Sequence, residues 1–211
     1  MRRCAGQGGG RYGRSVAASL ASLVAASVLL GGCGLLSKPH TLTAAAPLTM
    51  SVTSPDFTGN VIPPSLTCRG RPGESGPSIF WSGAPRGTKS IALVVDDAAA
   101  PISPRVYWIA YDISSSTTDL ALGKAPPRAR VAQNSAGKTQ YDLPCPGNSP
   151  HSYRFTVYAL NTVFGSALPA NSQLLVAWTM IAQHVIARGT YTAHTLPGDS
   201  AGTTAAIKYI K

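Results

Sequence analysis

Charge is scarce in this sequence. Only 12% of its 211 residues are charged, about half the roughly 25% usual for a soluble domain. So little charge excludes a charge-expanded disordered chain and a coiled coil, both of which need dense charged positions. Acids are scarcest. Asp and Glu total 8 against 18 Lys and Arg, a formal charge of +10, and no acid precedes Asp56. No apolar run reaches the ~20 residues that a spanning helix needs; the run from Val16 to Leu30 has 15. CxxC and HxxxH pairs are missing, so no metal site is indicated. Lys and Arg are dispersed, so the footprint for a phosphate backbone is missing and nucleic acid is not an expected partner. Gly (21) and Pro (17) are plentiful, which favours turns and short strands over a helix bundle.

The first residues read as an address. Arg2, Arg3, Arg11 and Arg14 precede the 15-residue apolar run, which fits the short core of a secretory signal. The run ends Leu30-Gly31-Gly32-Cys33, which resembles the lipobox of bacterial lipoproteins. That resemblance implies cleavage before Cys33 and lipidation (thioether-linked lipid, with palmitate-type acylation) on it. An ordinary signal peptide and an uncleaved anchor are the alternatives. The expected layout is a lipoprotein signal peptide over 1–32, a lipidated Cys and tether over 33–47, and one domain over 48–211. Loss of the four N-terminal arginines lowers the charge from +10 to +6. The expected place is the extracytoplasmic face of the cell membrane, held by lipid on Cys33.

The domain alternates apolar runs with turn signals. Leu48–Thr53, Ser90–Asp96, Val106–Ile113, Tyr153–Leu160 and Ile186–His194 read as strands, with a short one over Ala205–Ile210. Ser90–Asp96 is nearly all apolar, as a strand buried on both faces requires. Leu174, Leu175, Trp178, Ile181, Ala182, Val185 and Ile186 repeat at helical spacing and predict a helix over 172–188. Asn171 or Ser172 would cap it and Gly189 would end it. Cys68 and Cys145 remain after Cys33 is assigned to lipid. In an exported protein a bridge between them is the simplest reading; two buried thiols are the alternative.

Two motifs mislead. Ala132–Thr139 (AQNSAGKT) matches a relaxed phosphate-binding loop, but Pro144 and Pro146 follow where a helix is needed. Gly198–Gly202 (GDSAG) matches a serine-nucleophile turn, yet no His lies beyond His194 and only nine residues follow. No cofactor is expected.

Three segments remain: Ile91 to Pro101 (IALVVDDAAAP); Asn134 to Phe155, with Tyr141, Pro144-Cys145-Pro146 and His151-Ser152-Tyr153; and His184–Gly189. Together they resemble the phosphatidylethanolamine-binding protein family, also called the Raf kinase inhibitor protein family, in its bacterial branch. Ser54-Pro55-Asp56-Phe57, Ile62-Pro63-Pro64 and Trp81 fit its opening, and the resemblance runs from about Leu48 to Lys211. It implies a mainly β fold, a β-sandwich with a few peripheral helices, and a small anion pocket at one end of the sheet. Carried over by position, Asp97 and Pro101 take the places of the first Asp and the Pro of D-x-D-A-P. His151 and Tyr153 take those of the His and Tyr of H-R-Y. Tyr141 and the turn at Pro146 would form the adjoining wall. The second Asp of D-x-D-A-P is Ala99 here, and the Arg of H-R-Y is Ser152. Where the family has a His after that turn, this chain has Tyr107, which donates one hydrogen bond but carries no positive charge near neutral pH. Weaker or altered anion binding is the implication.

The leading expectation is a binding protein for a small anion or phospholipid headgroup. A protein-interaction module that inhibits a protease or kinase-like partner is the alternative. An enzyme is not expected, because Asp97 and His151 have no evident nucleophile or metal beside them.

Overall fold

A computed structural model describes residues 46–68, 70, 76–99, 105–145 and 150–196. Cys33, Pro101 and Pro146, the Ala205–Ile210 segment and the GDSAG motif lie outside the described residues.

Two antiparallel sheets carry the fold. The smaller orders as β1–β2–β5, from β1 (Ser51–Thr53), β2 (Ser78–Ser82) and β5 (Asp119–Ala121). The larger orders as β6–β4–β3–β7–β8, from β3 (Ser90–Asp97), β4 (Val106–Ser114), β6 (Arg130–Val131), β7 (Ser152–Leu160) and β8 (Val185–His194). Helix α1 (Leu174–His184) covers the far face of the larger sheet.

The larger sheet is thus a middle layer. Ile91, Leu93, Val95, Phe155 and Val157 face the small sheet and meet Val52, Ile79 and Trp81. Ala92, Val94, Ile109, Tyr158 and Leu160 face α1 and meet Ala177 and Ile181. This explains the unbroken apolar run of β3, all eight of whose residues are buried. Each large side chain so buried contributes about 1.5–3 kcal/mol.

The helix is shorter than its period predicts. It begins after Gln173, whose side chain makes no cap, and Ser172 Oγ donates instead to Pro169 O at 2.5 Å. It ends at His184, and the chain passes without a loop into β8, where Val185 pairs with Leu160. Val185 and Ile186 fit the helical stripe but are β-branched, and pairing along β7 wins. Gly189 is therefore not a helix stop. It sits inside β8, where a Cβ would lie 2.5 Å from Met50 O. Of the expected Leu48–Thr53 strand only Ser51–Thr53 forms; Leu48 keeps a single parallel bridge to Arg188.

Cys68 and Cys145 are bonded, with Cα atoms 5.2 Å apart. Among the described residues no helix is long and apolar enough to cross a membrane.

Candidate functional site

The site lies where β3 ends, β4 begins and β7 begins. Asp97, the last residue of β3, pairs in register with Tyr153 of β7. His151 stands just ahead of β7, so the antiparallel register brings it beside Asp97. Asp97 Oδ2 and His151 Nδ1 are 2.7 Å apart. The other oxygen, Oδ1, accepts from Ala99 N at 2.8 Å and fixes the turn. Asp97 is 4% exposed, and its charge is met by these two donors rather than by water. The His151 backbone is held from the other side: its N–H donates to Thr195 Oγ1 at 3.2 Å, and Thr195 N donates to its carbonyl at 3.0 Å.

A bulge places Tyr107. Val95 pairs with Trp108, but Asp96 pairs with Val106, so Tyr107 is the extra residue of β4. The bulge turns its ring to the same side as Trp108, against Tyr153 at 5.4 Å between ring centroids. Tyr153 stacks beneath His151 at 6.2 Å and is fully buried. It therefore underlies the site, and unlike Asp97, Tyr107, Tyr141 and His151 it does not line the cavity.

The cavity holds about 540 Å³ and is walled by Asp97, Arg105, Tyr107, Lys138, Tyr141 and His151, with the Cys68–Cys145 bridge at one side. Of the expected site residues, Asp97, Tyr107, Tyr141 and His151 come together here. Arg105 and Lys138 were not expected. Arg105 bonds Asp142 Oδ2 at 3.2 Å, with its guanidinium carbon 5.4 Å from the centre of the Tyr107 ring. Lys138 comes from the misleading AQNSAGKT segment. That segment is a turn built on Asn134, whose Oδ1 accepts from Ala136 N and Lys138 N at 2.9 and 3.0 Å. The Lys in that motif was the only signal that could have drawn notice to it.

Burial pushes the Tyr107 phenol up, with Asp97 adding to the effect and Arg105 opposing it. Burial also pushes Tyr141 and Tyr153 well above the usual range. All three remain neutral donors at pH 7. The Tyr141 and Tyr153 hydroxyls close no hydrogen bond of normal geometry with a described residue. On the other face of β3, Asp96 is paired with the Arg154 guanidinium. Burial still raises the Asp96 carboxyl because desolvation outweighs that attraction.

The arrangement can hold an oxygen-rich anion. Two cationic side chains, an imidazole and phenolic O–H groups converge, and both cavity acids, Asp97 and Asp142, are already bonded. Among the described residues no group of His, Cys, Asp or Glu is placed to hold a metal ion.

Sandwich and site together define a class: a small β-sandwich with a polar pocket at one end of its middle sheet. The sequence profile "Phosphatidylethanolamine-binding protein" matches residues 53–195, and the chain belongs to that family. A UPF0098 protein of Aquifex aeolicus is 39% identical over 127 residues, covering 57% of this chain and 73% of that protein. A Mycobacterium tuberculosis protein named "Putative lipoprotein LppC" is 34% identical over 151 residues, covering 63% and 74%. The crystal structure of YbcL from E. coli, described as a new member of the mammalian PEBP family, superposes with a TM-score of 0.62. It is 32% identical and covers 70% of this chain and 98% of that one.

Proposed function

We propose that this protein binds a small anion or phospholipid headgroup at the Asp97–His151 cavity, on the extracytoplasmic face of the membrane, where lipid on Cys33 holds residues 48–211 by a tether over 33–47. It acts by binding and not by catalysis. The observation that carries this reading is the 2.7 Å contact of Asp97 with His151 on the wall of a cavity that also holds Arg105 and Lys138. Asp97 fixes the imidazole, and no described residue bonds its Nε2, which is left for a ligand. Similarity to a protein named as a lipoprotein supports the anchoring, and the family's name supports a headgroup as one ligand class.

Thermal unfolding in the presence of phosphate, carboxylates and phosphoethanolamine tests it. Ligand at 100 times its Kd adds about 2.7 kcal/mol, which raises Tm by about 5–10 °C in a domain of this size. His151→Ala should unfold normally and lose the shift. A wild-type Tm that no member of the panel moves would contradict the reading and favour a protein partner at the cavity mouth.

A further inference from the structure

A second cleft, of about 380 Å³, lies at the opposite end of the middle sheet. β3 ends at the first site with Asp97 and begins here, after Lys89. Arg128 and Arg130 line this cleft with Lys89, and Val163 forms an apolar wall exposed to 56%. Its one acid is already engaged. Asp112 Oδ1 accepts from Phe164 N at 2.8 Å, Oδ2 from Gly165 N at 2.9 Å, and Arg130 Nε is 3.5 Å away. Lys89 and Arg128 have no acid partner among the described residues. Three cations thus face one carboxylate that is bonded to two amides.

Arg128 stands in an unusual place. Pro126 to Ala129 form a turn closed by Ala129 N–H to Pro126 O at 3.1 Å. Pro127 precedes Arg128, whose φ is 72°. A turn of this kind needs positive φ at its third residue, and Gly serves there without strain. The other three described non-glycine residues at positive φ are Asn60, Asp112 and Asn171, types that tolerate that region. Arg128 bears the strain with a side chain whose guanidinium pairs with no acid among the described residues. Strain kept where a relaxed residue was available points to a use for that residue.

We propose that this cleft is a second binding site, for a phosphorylated group carrying more than one negative charge. The forked guanidinium groups of Arg128 and Arg130 suit phosphate oxygens, and Lys89 adds a point charge. The phosphate can come from a soluble molecule or from a lipid headgroup whose first carbons meet Val163. The site shares no lining residue with the Asp97–His151 cavity and stands or falls apart from it.

Calorimetric titration of the full chain in detergent micelles tests this, with inorganic pyrophosphate and with water-soluble dihexanoyl phosphatidate as probes. Arg128→Gly should hold or raise Tm, because Gly relieves the turn, while affinity weakens roughly tenfold or more, as loss of a charge-assisted bond implies. Lys89→Ala should weaken it in the same direction, and both losses should persist in a His151→Ala background, where the first site no longer adds to the titration. Tighter binding of the lipid names a headgroup as the source, and tighter binding of pyrophosphate names a soluble one. Affinity unchanged in both Arg128→Gly and Lys89→Ala, or binding lost only in His151→Ala, would overturn the proposal.

Discussion

Tyr107 and Tyr141 line the cavity and Tyr153 lies beneath it, and each phenol is harder to ionise than usual. Burial is the first cause for all three. Values above the ordinary 10 mean that the folded chain holds these protons more tightly than the unfolded one. The stability they contribute is complete below pH 10 and is lost as pH rises through the raised values. In an absorbance titration of the eight tyrosines, these should ionise late, with the buried Tyr111 and Tyr158, and together with unfolding. Tyr153→Phe should remove one phenolate from that late phase. Ionisation of all eight near pH 10 with the fold intact would contradict the burial. At this scale Asp97 and His151 were legible, because their motifs sit at strand ends where register fixes neighbours. Arg105 and Lys138 were not. Each lies on a loop whose path is set by distant contacts, such as Arg105 with Asp142 and Asn134 Nδ2 with Tyr107 O.

At the scale of elements, the β4 bulge and the α1–β8 junction decide the most. One extra residue in β4 turns both Tyr107 and Trp108 toward the small sheet, which strict alternation would not do. Nothing in the sequence marks that bulge, so the motif pointed to Tyr107 without the mechanism that turns its ring to the cavity wall. At the junction the apolar pattern suits both a helix and a strand, and the pairing partner on β7 that settles it is more than twenty residues upstream. Gly189 was misread for the same reason: a glycine after an apolar helix looks like a cap. Here it lets the chain at Met50 lie against β8, where a Cβ would also meet Val52 Cγ2 at 2.7 Å. Gly189→Ala should cost about 1–3 kcal/mol by overpacking. That is read as a Tm fall of about 2–4 °C per kcal/mol in thermal unfolding. An unchanged Tm would show that β1 can move away freely.

On the scale of the whole molecule, composition was a good guide. Low charge, many turns and several short apolar runs favoured short strands over a helix bundle, the resemblance implied the sandwich, and a sandwich forms. The β3 run was legible as doubly buried because a layer on each face demands apolar residues at every position. The Cys68–Cys145 bridge closes across 77 positions of sequence, and spacing alone could not have shown that the two Cα atoms approach. The bridge ties the segment after Ile62 to the cavity wall, with Cys68 N donating to Pro144 O at 2.9 Å beside it. The binding reading joins these levels. A sandwich rigid on both faces holds strand ends still, and those ends present Asp97, His151 and Tyr107 in one cavity.

Native mass spectrometry of the protein purified from its own cells, with no ligand added, tests that claim most directly. The account predicts a chain two hydrogens lighter than its dithiol form, carrying a small anionic or headgroup ligand that is absent from His151→Ala. A wild-type protein that arrives bare from its own cells, with the same ligand-free spectrum as His151→Ala, would contradict it.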